Sequence, residues 1–263
     1  MGKVIAIANQ KGGVGKTTTS VNLAASMAAT RRKVLLVDLD PQGNATMASG
    51  VNKYEAERTI YELLVEEQAV RDVIITDTTG GYDLIAANGD ATAAEIRLME
   101  VFARELRLRT ALAPIREEYD YIFIDCPPAL NLLTVNAMSA ADSVLVPMQC
   151  EYFALEGLTA LVDTISKLAA VVNPQLKIEG VLRTMFDHRN RLSNEVSEQL
   201  KQYFGEKVYR TIIPRNVRLA EAPSHGTPVM YYDKSSLGSK AYLGLAGELL
   251  RREEQQQKAE ASA

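Results

Sequence analysis

Short apolar runs recur along the chain at 4–8, 34–37, 121–125, 143–147, 178–182 and 208–213. The first three carry almost no polar alternation, the pattern of strands covered on both faces. Between them lie segments whose apolar residues fall on one helical face: 17–27, 59–65, 93–112, 154–171, 194–204 and 240–253. Asn173-Pro174 closes the fourth of these, because the residue before a proline is pushed out of the helical region, and Ser193 is placed to cap the fifth. Weaker strand signals stand at 73–75 and 84–85. Strands alternating with helices predict an α/β fold: a single doubly wound, mainly parallel sheet with helices on both faces. No Gly/Ser/Pro linker and no internal repeat divides the chain, so one domain is expected over 1–254, followed by a frayed polar tail at 255–263.

The first strand runs into Asn9-Gln10-Lys11-Gly12-Gly13-Val14-Gly15-Lys16-Thr17-Thr18 and then into a helix. That order makes a phosphate site. Glycines at 12, 13 and 15 let backbone N–H groups close on an anion, and the new helix points its positive end at the same place. Lys16 then reaches the β- and γ-phosphates of a nucleotide, and the Thr17 hydroxyl is suited to Mg2+. The ordinary phosphate-loop pattern would put a glycine where Gln10 stands; what distinguishes this loop is a second lysine, Lys11, for which the monomer offers no evident partner. Carboxylates end two other buried strands. Asp38 and Asp40 follow 34–37, and Asp125 closes 121–125, where α/β folds gather their ligands. Asp125 suits a magnesium ion held through water.

Composition narrows the picture. With 47% hydrophobic and 24% charged residues the chain has enough apolar surface for a sizeable core. It has no Trp and only 6% aromatic residues, against a base-stacking platform. Cys126 and Cys150 lack metal-ligand spacing and read as reduced, buried small hydrophobes. The start runs directly into the first strand, so no leader and a cytoplasmic location are expected. The net charge of −4 means that any nucleic-acid binding needs a local basic patch. One exists: between 183 and 218 stand Arg183, Arg189, Arg191, Lys201, Lys207, Arg210, Arg215 and Arg218 against four acids.

Lys11 to Thr18 resembles the deviant Walker A motif of the ParA/MinD superfamily of P-loop ATPases. Asp38-Leu39-Asp40-Pro41-Gln42-Gly43-Asn44 resembles the switch I motif of ParA-type partition ATPases, and Asp125-Cys126-Pro127-Pro128 their Walker B end. Residues 213–226 resemble a segment of chromosomal, Soj-like members. The resemblance implies a P-loop NTPase fold and ATP hydrolysis, with Asp40 orienting the attacking water and Asp38 nearer the Mg2+ shell. Pro214 and Asn216 become adenine contacts. Lys11 would reach the phosphates of a second subunit in an ATP-dependent homodimer. That dimer would bind double-stranded DNA non-specifically through Arg189 and Arg218, associate with the nucleoid, and be released when a ParB-type centromere-binding partner stimulates hydrolysis. His225 is expected to be structural, since this reaction needs no histidine.

Two alternatives share the fold. A MinD-type membrane-cycling ATPase needs a basic, apolar C-terminal amphipathic helix, whereas this chain ends in Arg251-Arg252-Glu253-Glu254-Gln255-Gln256-Gln257, too polar for a stable membrane anchor. A metabolic P-loop enzyme, such as an ATP-dependent ligase or kinase, stays open on fold grounds.

Overall fold

The computed structural model describes residues 2–261. Its strands are β1 (Lys3–Ile7), β2 (Val34–Asp38), β3 (Ile74–Ile75), β4 (Asp83–Ile85), β5 (Tyr121–Asp125), β6 (Ser143–Met148), β7 (Lys177–Phe186) and β8 (Val208–Pro214). They form one sheet in the order β3-β4-β2-β5-β1-β6-β7-β8, parallel throughout except for the short edge strand β3. The central strands behave as their composition requires. In β1, Val4 and Ala6 face one core layer while Ile5 and Ile7 face the other; in β5, Ile122 and Ile124 divide from Tyr121 and Phe123 in the same way. A strand that buries both faces has no polar position to spare.

Helix α1 (Lys16–Ala28) and the terminal helix Leu237–Ala261 cover one face, joined by a buried contact between Thr19 Oγ1 and the Tyr242 hydroxyl at 3.2 Å. Helices Arg107–Leu112, Leu132–Ala140 and Ala154–Val171 cover the other.

Three expectations about elements need correction. The long helix read over 93–112 is broken: Asp90–Leu98 ends, Ala103 takes a left-handed φ of 52°, and a short turn leads into Arg107–Leu112. Asn136 sits at this break, its side chain accepting from Leu108 N and donating to Arg104 O, so tertiary contacts override the local pattern. The helix Arg191–Phe204 is capped by Asn190, whose Oδ1 accepts from Leu192 N and Ser193 N; Ser193 instead donates to the Cys150 carbonyl. The stretch read as a frayed tail at 255–263 is helical through Ala261, since Gln, Lys, Ala and Glu are good helix formers, and 262–263 lie outside the described residues. His225 stacks on Tyr232 with ring centroids 4.8 Å apart.

Leu36, fully buried at the middle of β2, tests the two-layer core. Leu36→Ala is expected to cost about 2–5 kcal/mol, read as a lower denaturant midpoint with an unchanged slope.

Candidate nucleotide site

Gly15 adopts φ 87° and Gly13 φ 72°, a region closed to most side chains, and this bends the chain from β1 back into α1. Gly15 is also the N-cap of α1 and carries no capping side chain, which leaves the first-turn N–H groups of Lys16, Thr17 and Thr18 for an anion. The loop is pinned from neighbouring strands. Asn9 Nδ2 donates to the Pro147 carbonyl at 2.8 Å, and Thr184 Oγ1 donates to the Val14 carbonyl at 2.7 Å. Gln149 Nε2 reaches the Gly13 carbonyl at 3.3 Å. Gly12 has open space where a Cβ would stand.

Lys16 is buried, and its ammonium donates to the Lys11 carbonyl at 3.3 Å. Burial pulls its pKa below the ordinary lysine value, while the nearby Asp125 and Asp40 oppose that pull. Asp125 ends β5 and lies in register with Asp38 at the end of β2, so two carboxylates meet inside the protein. Burial raises the pKa of both, and each feels the other side of the pair or the neighbouring Asp40. Asp125 Oδ1 accepts from Ser20 Oγ at 2.7 Å, while Oδ2 is buried without a partner. A buried, unsatisfied carboxylate oxygen beside a phosphate loop fits a Mg2+ site formed with Thr17.

Asp38 is differently employed. Its Oδ1 accepts from Asp40 N at 3.0 Å, and its Oδ2 accepts from Thr46 N and Thr46 Oγ1 at 2.9 and 2.8 Å. Asp40 is almost buried, and its own Oδ1 accepts from Gln42 N at 3.0 Å. Lys16, Asp40 and Asp125 are thus brought together at the C-terminal ends of β1, β2 and β5.

Lys11 stands at the exposed mouth of the loop and, contrary to the expectation from sequence, has a partner in its own chain: an ion pair with Glu151. Glu151 follows β6 and precedes an exposed edge-to-face pair, Tyr152 and Phe153. Pro214 closes β8, three strands from β1 or roughly 14 Å at the usual spacing. Asn216 caps the helix Val217–Glu221 by accepting from Arg218 N, which leaves its amide donor uncommitted to that cap.

Arg189 and Arg218 follow the C-terminal ends of β7 and β8, on the same end of the sheet as the loop. Both are ion-paired. Arg189 is bidentate to Asp187, whose pKa it holds down to about 2, and Arg218 meets Glu221 and Asp233. The basic cluster read from sequence loses one member outright. Arg183 is only 3% exposed and donates inward, to Ser197 Oγ and the Tyr209 carbonyl.

Sequence reasoning missed Ser20, Thr46, Glu151 and Thr184. Ser20 had a signal, lying one helical turn beyond Lys16 on the face toward β5. Glu151 and Thr184 had none, because their contacts span well over a hundred residues.

Comparison with known proteins agrees with this geometry. An AAA domain family matches residues 2–178. The sporulation initiation inhibitor protein Soj of Bacillus subtilis is 53% identical over 249 residues, covering 95% of this chain and 98% of that protein. The chromosome partitioning protein ParA of Caulobacter vibrioides is 51% identical over 257 residues, covering 97% and 96%. Among solved structures, cobyrinic acid a,c-diamide synthase of Mycobacterium smegmatis with bound ATP analogue and magnesium superposes with a TM-score of 0.84 at 35% identity, covering 97% and 96%. The mainly parallel eight-stranded sheet, the phosphate loop with its extra lysine and the relatives at half identity lead to one conclusion: the chain belongs to the ParA/Soj family of chromosome-partitioning ATPases.

Proposed function

We propose that the protein hydrolyses ATP and uses the nucleotide to control its own dimerisation and its hold on DNA. The observation that carries this reading is the convergence of Lys16, Asp40 and Asp125 beneath a phosphate loop whose second lysine faces outward. In the reaction a water attacks the γ-phosphorus, the bond to the β–γ bridging oxygen breaks, and ADP and inorganic phosphate leave. The loop amides and Lys16 offset the phosphate charge, and Asp40 orients the water. Thr17 and, through water, Asp125 would hold Mg2+, which would supply further charge neutralisation at the phosphates.

Lys11 completes the site from a second subunit. Its pair with Glu151 is half exposed, and such pairs contribute only about 0–1 kcal/mol, so exchanging the carboxylate for a phosphate costs little. Pro214 and Asn216 hold the adenine, the ring of one against the base and the amide of the other at its edge. The dimer then binds duplex DNA without sequence preference through Arg189 and Arg218, which must trade their carboxylates for phosphates. A ParB-type partner stimulates hydrolysis and releases the dimer. ParA of Caulobacter vibrioides and the Soj ATPase of Treponema pallidum, both named for chromosome partitioning, support the reading at 51% and 46% identity; the diamide synthase, whose name fits the metabolic alternative, stands at 35%. Among the described residues no helix is long and apolar enough to cross a membrane, and the terminal helix turns Tyr242, Leu245 and Leu249 into the core.

Lys16→Ala is expected to abolish ATP binding in calorimetry; unchanged affinity contradicts the loop assignment. Asp40→Ala should keep ATP and Mg2+ binding, lose turnover, and accumulate the ATP-bound dimer on size exclusion. Lys11→Ala should bind ATP yet stay monomeric with a non-hydrolysable analogue, and normal dimers would remove the trans lysine. The double variant Arg189→Glu/Arg218→Glu should dimerise but lose DNA, with a shallower dependence of any residual binding on salt; unchanged DNA affinity would exclude these arginines.

A further inference from the structure

Switch I, the segment carrying Asp40, is held by a continuous buried chain of hydrogen bonds that ends on the neighbouring strand. Ala87 N, just past β4, donates to Thr46 Oγ1 at 2.9 Å. The Thr46 hydroxyl in turn donates to Asp38 Oδ2 at 2.8 Å, and Thr46 N–H donates to the same oxygen at 2.9 Å. Asp38 Oδ1 then takes Asp40 N–H at 3.0 Å, and Asp40 Oδ1 takes Gln42 N–H at 3.0 Å. Thr46, Asp38 and Ala87 are all fully buried. Water cannot stand in for the links among these three, whereas the last link, at Gln42, is only part-buried.

The same residue, Ala87, fixes switch I a second time through its carbonyl. Gly43 takes φ 60°, and a Cβ there would lie 2.6 Å from the Ala87 carbonyl oxygen. The turn Asp40–Gly43, closed by Gly43 N to Asp40 O at 2.8 Å, is therefore pressed onto Ala87 by a glycine and tied to it by a threonine. Short α2 (Asn44–Ala48), which carries Thr46, is the lever between the two contacts.

We propose that Thr46 is a positioning residue for hydrolysis: through Asp38 it sets the backbone of Asp40, and so the direction in which that carboxylate meets water. This rests on the reading that Asp40 orients the attacking water. It also gives Asp38 its work. With one oxygen on Thr46 and the other on Asp40, Asp38 anchors the switch, while the unpartnered Asp125 Oδ2 is the oxygen turned to the ion site. The chemistry favours threonine because one hydroxyl must accept from an amide and donate to a carboxylate at once. A hydrogen bond to a charged group is stronger than a neutral one, and a small misplacement of a catalytic group lowers turnover steeply.

The test compares Thr46→Val, close in shape but without the hydroxyl, with Thr46→Ser, which keeps it, and with Asp40→Ala, all as full chains with Mg2+. Turnover is expressed per nucleotide-binding site titrated by a fluorescent ATP analogue. Thr46→Val is expected to lower kcat about ten-fold or more, with KM and analogue affinity within about two-fold, and to accumulate the ATP-bound dimer as Asp40→Ala does. Thr46→Ser should recover turnover to within about three-fold of the parent. Should a buried valine prevent folding, Thr46→Ala against Thr46→Ser reads the same difference. Normal kcat per site in Thr46→Val, with Asp40→Ala inactive, overturns the inference alone. Turnover by Asp40→Ala overturns the reading of Asp40 and the inference with it.

Discussion

Two carboxylates buried side by side, Asp38 and Asp125, govern the architecture of the site. Adjacent parallel strands deliver them in register, and burial makes their charges costly unless donors surround them. The surrounding elements supply those donors. Helix α1 brings Ser20 to Asp125, α2 brings Thr46 to Asp38, and the switch backbone brings Asp40 N–H. Lys16 lies close enough to feel both Asp125 and Asp40. What remains unsatisfied, Asp125 Oδ2, is the point at which a cation would complete the balance.

The same economy separates a rigid half of the site from an exchangeable half. The phosphate loop is pinned by bonds from β6 and β7, and the switch is clamped at Ala87. By contrast, Lys11, Arg189 and Arg218 each hold an exposed carboxylate in their own chain. Exposed pairs of that kind contribute little and are screened by salt, so these cations can change partners when a phosphate arrives. Buried bonds keep the chemistry in place, and exposed ion pairs face whatever the protein binds.

The parts of the fold legible in the sequence are those where both faces of a strand are buried. Runs such as 4–8 and 121–125 admit no polar residue until the strand ends, so the first polar residues after them mark the ligand end of the sheet. Asp38 and Asp125 are legible that way, Lys16 from the glycines around it, and Asp40 from the motif that follows β2. The break near Ala103 was not, because Asn136, far along the chain, satisfies the backbone there. Asn190 was overlooked beside Ser193 because both are good caps and only the turn from β7 decides between them. Thr46 sits two residues beyond the recognised switch motif, yet its role depends on Ala87, which has no side-chain chemistry to notice. Glu151 was hidden for the same reason: it meets Lys11 only once β6 lies beside β1.

The central claim, that nucleotide state controls the grip on DNA, is tested most directly by co-sedimentation of the intact protein with a duplex of arbitrary sequence. Binding is measured with ATP and Mg2+, with ADP and Mg2+, and without nucleotide, across a salt series. The account predicts binding with ATP alone, falling steeply as salt rises. Equal binding in all three states, or none in any, would contradict it.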